Sequence, residues 1–172
     1  LNFSDGAEIE NEAHYMLNYG KFSGERYFLV YPNNITPTII LYWIYRIAAF
    51  LHISEVWTLH IFCFLVTTTT VFLTYKTAGK LLTKQKQTII LGLMILYIPF
   101  QMYSLFYYSD TLMVIMVALI IYVLIPSDGS FIFRTKHIVA VAILVAFAWN
   151  LRSNIIIILP ALIVYLLFFK WY

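Results

Sequence analysis

The chain has 172 residues, 62% hydrophobic, 19% aromatic and only 11% charged, with a net charge of +3. A mean hydropathy of +0.84, gathered into apolar runs of 15 to 20 residues, excludes an ordinary soluble domain and calls for lipid as the solvent. The positive charge lies in connectors between those runs, so it does not point to a nucleic-acid partner.

Half of the eight acidic residues fall in the first twelve positions: Asp5, Glu8, Glu10 and Glu12. The stretch predicts a short amphipathic helix. Asp5 is its N-cap, with Glu8 reaching back; Ile9, Ala13, Met16 and Leu17 form an apolar stripe, and Gly20 ends it. On this reading Glu8, Glu10 and Glu12 lie on a solvated face. Leu1 opens the chain without an initiator Met or leader, so the sequence reads as an internal portion of a longer protein.

Next comes "TPTIILYWIYRIAAFLH", with Thr36 as N-cap and Pro37 in the first turn. At about 15 apolar residues, and carrying Arg46 and His52, it reads as a helix lying along the outer interface. Ser54 restarts the chain as a helix, and five spans are expected over 56–75, 88–107, 111–125, 138–150 and 155–169. The fold class is therefore an all-α polytopic membrane protein, with residues 1–55 as an outer loop of short interfacial helices and 56–172 as a transmembrane bundle.

Lys76, Lys80, Lys84 and Lys86 fill one connector, while Arg134 and Lys136 fill another two spans later. By the positive-inside rule both are cytoplasmic. Residues 1–55, the turn "FYYSDT" with Asp110 and the junction "WNLRSN" with Arg152 then share the outer side. Acids and an arginine gathered at one interface suggest a site for something anionic and something with hydroxyls.

Other features have plainer readings. Cys63 is a small buried residue, Thr67 to Thr70 bond the preceding helical turn, and Pro99 and Pro160 kink helices. The aromatic and basic edge Phe168 to Tyr172 marks a span leaving the bilayer. The four histidines have no metal-ligand spacing, and no phosphate-cradling glycine loop or nucleophile elbow is present.

The order of Asp5, Ala13 and Gly20 on a short helix, "YFLVYPNN", an interfacial helix, two spans, "YYSDT" and finally "LRSN" resembles the GT-C superfamily of polyprenol-phosphate-dependent glycosyltransferases. The likeness is to the branch of protein mannosyltransferases and aminoarabinose transferases, beginning after a first transmembrane helix. It implies transfer of a sugar from a lipid-linked phosphate donor to a hydroxyl of a protein, lipid or glycan at the outer face of a bacterial plasma membrane, with inversion. It implies Asp5 as the base that takes the acceptor proton. Asp110 orients substrate or, with Asp5, helps to bind a divalent cation; no other cofactor is indicated. The resemblance places Arg152 at the donor phosphate, and Tyr31 and Tyr108 are candidate lining residues of a sugar groove. Many members carry two adjacent acids in the first outer loop, whereas here Gly6 follows Asp5. Asp110 also reads as the N-cap of a helix starting at Thr111, and Arg152 as a residue snorkelling at the end of a span. A polytopic transporter and a non-catalytic membrane assembly subunit are the alternative functions, disfavoured by acids at an interface rather than at mid-membrane.

Overall fold

The structure is a computed structural model and describes residues 5–125 and 135–169. The expectations placed on Arg134 and on the edge from Lys170 to Tyr172 lie outside the described residues.

Nine α-helices and three 3-10 turns follow one another, with no strand among the described residues. They are α1 (Asp5–Tyr19), α2 (Arg26–Val30), α3 (Ile35–Leu51), α4 (Glu55–Leu81), α5 (Lys84–Leu96), α6 (Ile98–Gln101), α7 (Ser109–Leu124), α8 (Thr135–Leu151) and α9 (Ile158–Phe169). The 3-10 turns are Pro32–Asn34, Met102–Ser104 and Ser153–Ile157. The all-α membrane character is as expected: α4 has 27 residues and Pro32–Leu51 has 20, both long and apolar enough to cross a bilayer. The run expected over 88–107 carries the expected kink: α5 and the helical segment Ile98–Ser104 meet at 66° just before Pro99, whose ring cannot continue an α-helix from the preceding turn. Two further expected spans are apolar helices of 16 residues (α7) and 17 residues (α8). Pro160 lies in the first turn of α9, after a 3-10 turn, where proline is tolerated and bends nothing.

The bundle is organised around α4, which packs on α3, α5 and α7; α7 in turn packs on α8. Leu112, Met116, Ile120 and Leu124 recur every fourth residue along one stripe of α7. They close on Val141, Val145, Ala148 and Leu151 of α8, and Ile155 extends the seam into the following turn. Other faces of the bundle carry exposed Ile, Leu, Phe and Trp, as a lipid-facing surface should.

A second core joins α1 to α3 through Ile9, Ala13, Leu41, Ile44 and Tyr45. Tyr107 packs against both cores and donates its hydroxyl to the Pro37 carbonyl at 2.7 Å, tying the loop before α7 to the start of α3. Thr36 and Pro37 lie inside α3, which starts at Ile35 after the 3-10 turn, so Thr36 is not the N-cap. His52 ends α3 in the left-handed region (φ 53°). Gly20 ends α1 at φ 68°, a conformation that costs glycine little. Cys63 is fully buried. Thr70 bonds the Val66 carbonyl one turn back, whereas Thr67 has no such partner.

Glu12 departs from its expected place. It is buried, 3% exposed, and its carboxylate accepts the Ser23 backbone N–H at 2.6 Å and the Ser23 hydroxyl, clasping the loop after α1 back onto the helix. Glu10 is exposed and accepts only a long bond, 3.4 Å, from Tyr45. Glu12→Gln exchanges one accepting oxygen for an amide that cannot accept. It should therefore destabilise the fold by about 1–3 kcal/mol, seen as a lower melting temperature, while Glu10→Gln leaves that temperature unchanged.

Candidate active site

Four elements deliver the site: the start of α1, the segment 27–34, the start of α7 and the turn after α8. Asp5 is the first residue of α1 and exposed, and its carboxylate is not spent on capping. Its Oδ1 accepts the Tyr27 hydroxyl at 2.8 Å, and its Oδ2 accepts the Tyr108 hydroxyl at 3.4 Å. Tyr27 is held in turn by Asn34, whose Nδ2 donates to the phenol oxygen at 2.5 Å. Asn34 is buried, and its own amide oxygen accepts Asn33 Nδ2 at 3.1 Å. The chain Asn33, Asn34, Tyr27, Asp5 thus fixes the orientation of a carboxylate on a helix start.

Tyr108 continues the chain to the other side. It precedes α7, and the Arg152 guanidinium carbon lies 5.9 Å from the centre of its ring. Arg152 Nη1 pairs with Asp110 Oδ1 at 2.7 Å and donates to the hydroxyl of buried Ser109 at 3.1 Å. Asp110 is in the first turn of α7, which begins at Ser109, and no side chain caps that helix. The expected N-cap role is therefore replaced by an ion pair with Arg152. Both partners are about one-third exposed, 32% and 34%, so the pair adds little stability and acts to position the guanidinium. Arg152 itself is anchored by its backbone: its N–H donates to the Ala148 carbonyl at 2.9 Å, ending α8.

The two phenols stay protonated donors at ordinary pH. Burial first, then the hydrogen bond to Asp5, raises the Tyr27 hydroxyl well above the usual phenol range, against a smaller lowering effect of Asn34. Burial first, then the Asp5 charge, also raises Tyr108, with Arg152 working the other way and Asp110 adding to the rise.

Of the five residues singled out from the sequence, Asp5, Tyr108, Asp110 and Arg152 come together in one cluster. Tyr31 is exposed and touches it only through the ring of Tyr27, with centroids 5.1 Å apart. Tyr27, considered from the sequence only as one of several interfacial tyrosines that could line a sugar groove, joins the network, as do Asn34 and Ser109, which had not been distinguished; the doublet "NN" ahead of an apolar helix was the available signal for Asn34. Asp110 is taken by a guanidinium and Asp5 by two hydroxyls, and no three His, Cys, Asp or Glu converge among the described residues.

Two recesses flank the cluster. One, of about 330 Å³, lies beside Asp5 and is lined by Gly6, Ala7, Glu10, Tyr45, Phe106 and Tyr107 among others. The other, of about 200 Å³, lies between the turn Pro32–Asn34 and the end of α8.

The sequence model of the dolichyl-phosphate-mannose-protein mannosyltransferase family matches residues 36–172. The chain belongs to that family. It is a membrane glycosyltransferase of the GT-C type, and the match takes in Tyr108, Asp110 and Arg152 while leaving Asp5, Tyr27 and Tyr31 in the segment before it. No curated protein and no solved structure matches the chain. In this glycosyltransferase the matched bundle therefore carries the basic half of the cluster, and the acidic α1 brings the other half to it through Tyr108.

Proposed function

We propose that the chain forms the outer-face catalytic region of an inverting glycosyltransferase that takes its sugar from a polyprenyl-phosphate donor. The observation that carries this reading is the convergence of a carboxylate and a guanidinium on the two sides of Tyr108. In a direct displacement the acceptor oxygen attacks the anomeric carbon and its proton passes to Asp5. The bond from that carbon to the phosphate oxygen breaks, and its electron pair leaves with the phosphate, whose charge Arg152 meets with planar, multiply donating nitrogens. Asp110 and Ser109 position that guanidinium, while Tyr27 and Tyr108 aim the carboxylate. Holding base and cation in fixed places supplies much of the effect, because the reacting groups need not be gathered from solution. No step passes through a metal ion.

The outer-face assignment follows from charge and packing. Lys76, Lys80, Lys84 and Lys86 lie at the opposite end of α4 and in α5, as cytoplasmic connectors do. The helix α3 with its leading turn is long enough to span, so shortness does not keep it at the interface. Its partner does: α1 lies along it, Glu10 takes a bond from Tyr45, and His14 stacks on Tyr45 at 4.7 Å and faces Glu55 at 3.8 Å. A spanning α3 would carry those charged and ionisable groups of α1 into hydrocarbon, at a cost that an interfacial position avoids. These contacts support the reading of residues 1–55 as an outer layer over the bundle of residues 56–172.

The donor class is open to direct test. Purified full-length protein incubated with polyprenyl-phosphate mannose, glucose or N-acetylglucosamine should consume one of these donors, and the matching nucleotide sugar should not replace it. Turnover of a nucleotide sugar, with none of any lipid-linked donor, would overturn the reading.

A further inference from the structure

The recess of about 200 Å³ beside the cluster is lined by Pro32, Asn33, Trp149, Asn150 and Ser153, of which only Asn33 enters the network that holds Asp5. It exists because the turn Pro32–Asn34 packs on α8. Both of its walls are continuous with the site: Asn33 adjoins Asn34, and Trp149, Asn150 and Ser153 flank Arg152 in sequence.

Its lining is one broad ring, two amides and a hydroxyl, with no charged side chain. Trp149 is 46% exposed, so much of its indole is open to a ligand. Each amide is oriented through its nitrogen: Asn150 Nδ2 donates to the Ala146 carbonyl at 2.8 Å, and Asn33 Nδ2 donates to Asn34 Oδ1 at 3.1 Å. That leaves both amide oxygens ready to accept from hydroxyl groups. An apolar plate with neutral acceptors around it suits a pyranose, which has a C–H face and a rim of hydroxyls. It does not suit a phosphate, for which Arg152 stands next in the chain.

We propose that this recess receives the glycosyl group of the donor, with Trp149 against the face of the ring and Asn33, Asn150 and Ser153 on its hydroxyls. The proposal rests on the glycosyltransferase reading above and deepens it by naming the residues that select the sugar. The arrangement sets the sugar between the two halves of the cluster. On one wall Ser153 is the chain neighbour of Arg152, and on the other Asn33 is the chain neighbour of Asn34, which leads through Tyr27 to Asp5.

The test uses full-length purified protein and polyprenyl-phosphate mannose, glucose and N-acetylglucosamine. For the preferred sugar, Trp149→Leu should lower kcat/KM by roughly tenfold, the loss expected for a stacked ring, while Trp149→Phe retains most of it. Asn150→Ala should narrow the gap between the preferred sugar and its epimer, because a site built to bond a hydroxyl discriminates through that bond. Inhibition by sugar-free polyprenyl phosphate should be unchanged in all three variants, which also shows that they fold. Unchanged selectivity in Trp149→Leu and Asn150→Ala, with transfer still dependent on Asp5, would overturn the recess and leave the reaction standing. Equal weakening of polyprenyl phosphate and donor would overturn it as well. Absence of turnover with every lipid-linked sugar would overturn the glycosyltransferase reading and the recess with it.

Discussion

Asp5→Asn is expected to abolish most of the transfer, by about 100-fold or more if general-base help has its usual weight, while leaving the melting temperature nearly unchanged. The substitution keeps the size of the side chain, and the amide oxygen can still accept one of the two phenolic bonds now made to the carboxylate. What it cannot do is take the acceptor proton. Because Asp5 is exposed and lies at the first turn of α1, its charge contributes little to holding the fold together. The loss should therefore appear in kcat rather than in donor KM. Glu10→Gln is the control: Glu10 lies one and a half turns further along the same helix, is exposed and holds only the long bond from Tyr45. A fully active Asp5→Asn, or a loss that merely follows unfolding, would remove Asp5 from the chemistry.

Arg152→Gln should be the second large effect. Hydrogen bonds to a charged group contribute about 1.5–3 kcal/mol each, so losing the guanidinium should cost roughly ten- to more than a hundredfold in kcat/KM. Arg152→Lys keeps a charge but not the planar fork that meets Asp110 and Ser109 together, and should fall between wild type and Gln. Only Arg152→Gln leaves Asp110 without a charged partner, and a purely architectural arginine would lower melting temperature and activity in parallel there. Measuring donor KM, kcat and melting temperature for the pair separates these outcomes. Equal and mild losses in Lys and Gln would assign Arg152 to the membrane interface instead.

Span order and lysine distribution led the sequence reading to expect the two halves of this site on one side of the membrane. Asp5, Tyr108, Asp110 and Arg152 were therefore legible as a group, although they are spread over nearly the whole chain. Their individual contacts were not. Asp110 looked like a helix cap because acids near helix starts often are; a guanidinium arriving from a distant turn captured it. Glu12 belonged to a helix with a regular polar face, and only the return of the loop at Ser23 converts that position into a buried acceptor. Asn34 was one polar residue among several before an apolar run, and its burial depends on how the turn Pro32–Asn34 meets α8. The bend at Pro99 was legible because a proline ring cannot continue a helix, whereas the end of α4 was not: the apolar run stops near residue 75 but the helix continues through its lysines to Leu81. The expectation that α3 lies at the interface meets the same limit from the other side. Its length permits a span, and it is the charged helix packed on it that argues for the surface.

The most direct measurement combines chemistry with sidedness. Full-length protein in the Cys63→Ala background, with a cysteine at the exposed position Asn18, is reconstituted into sealed vesicles whose orientation is read by an impermeant thiol reagent. A lipid-linked donor carrying a labelled sugar is then supplied together with an acceptor confined to one compartment. The account predicts that each sugar transferred releases one polyprenyl phosphate, that transfer occurs only to acceptor on the face where Asn18→Cys is labelled, and that Asp5→Asn suppresses it. Transfer to acceptor on the opposite face, or transfer indifferent to Asp5, would contradict it.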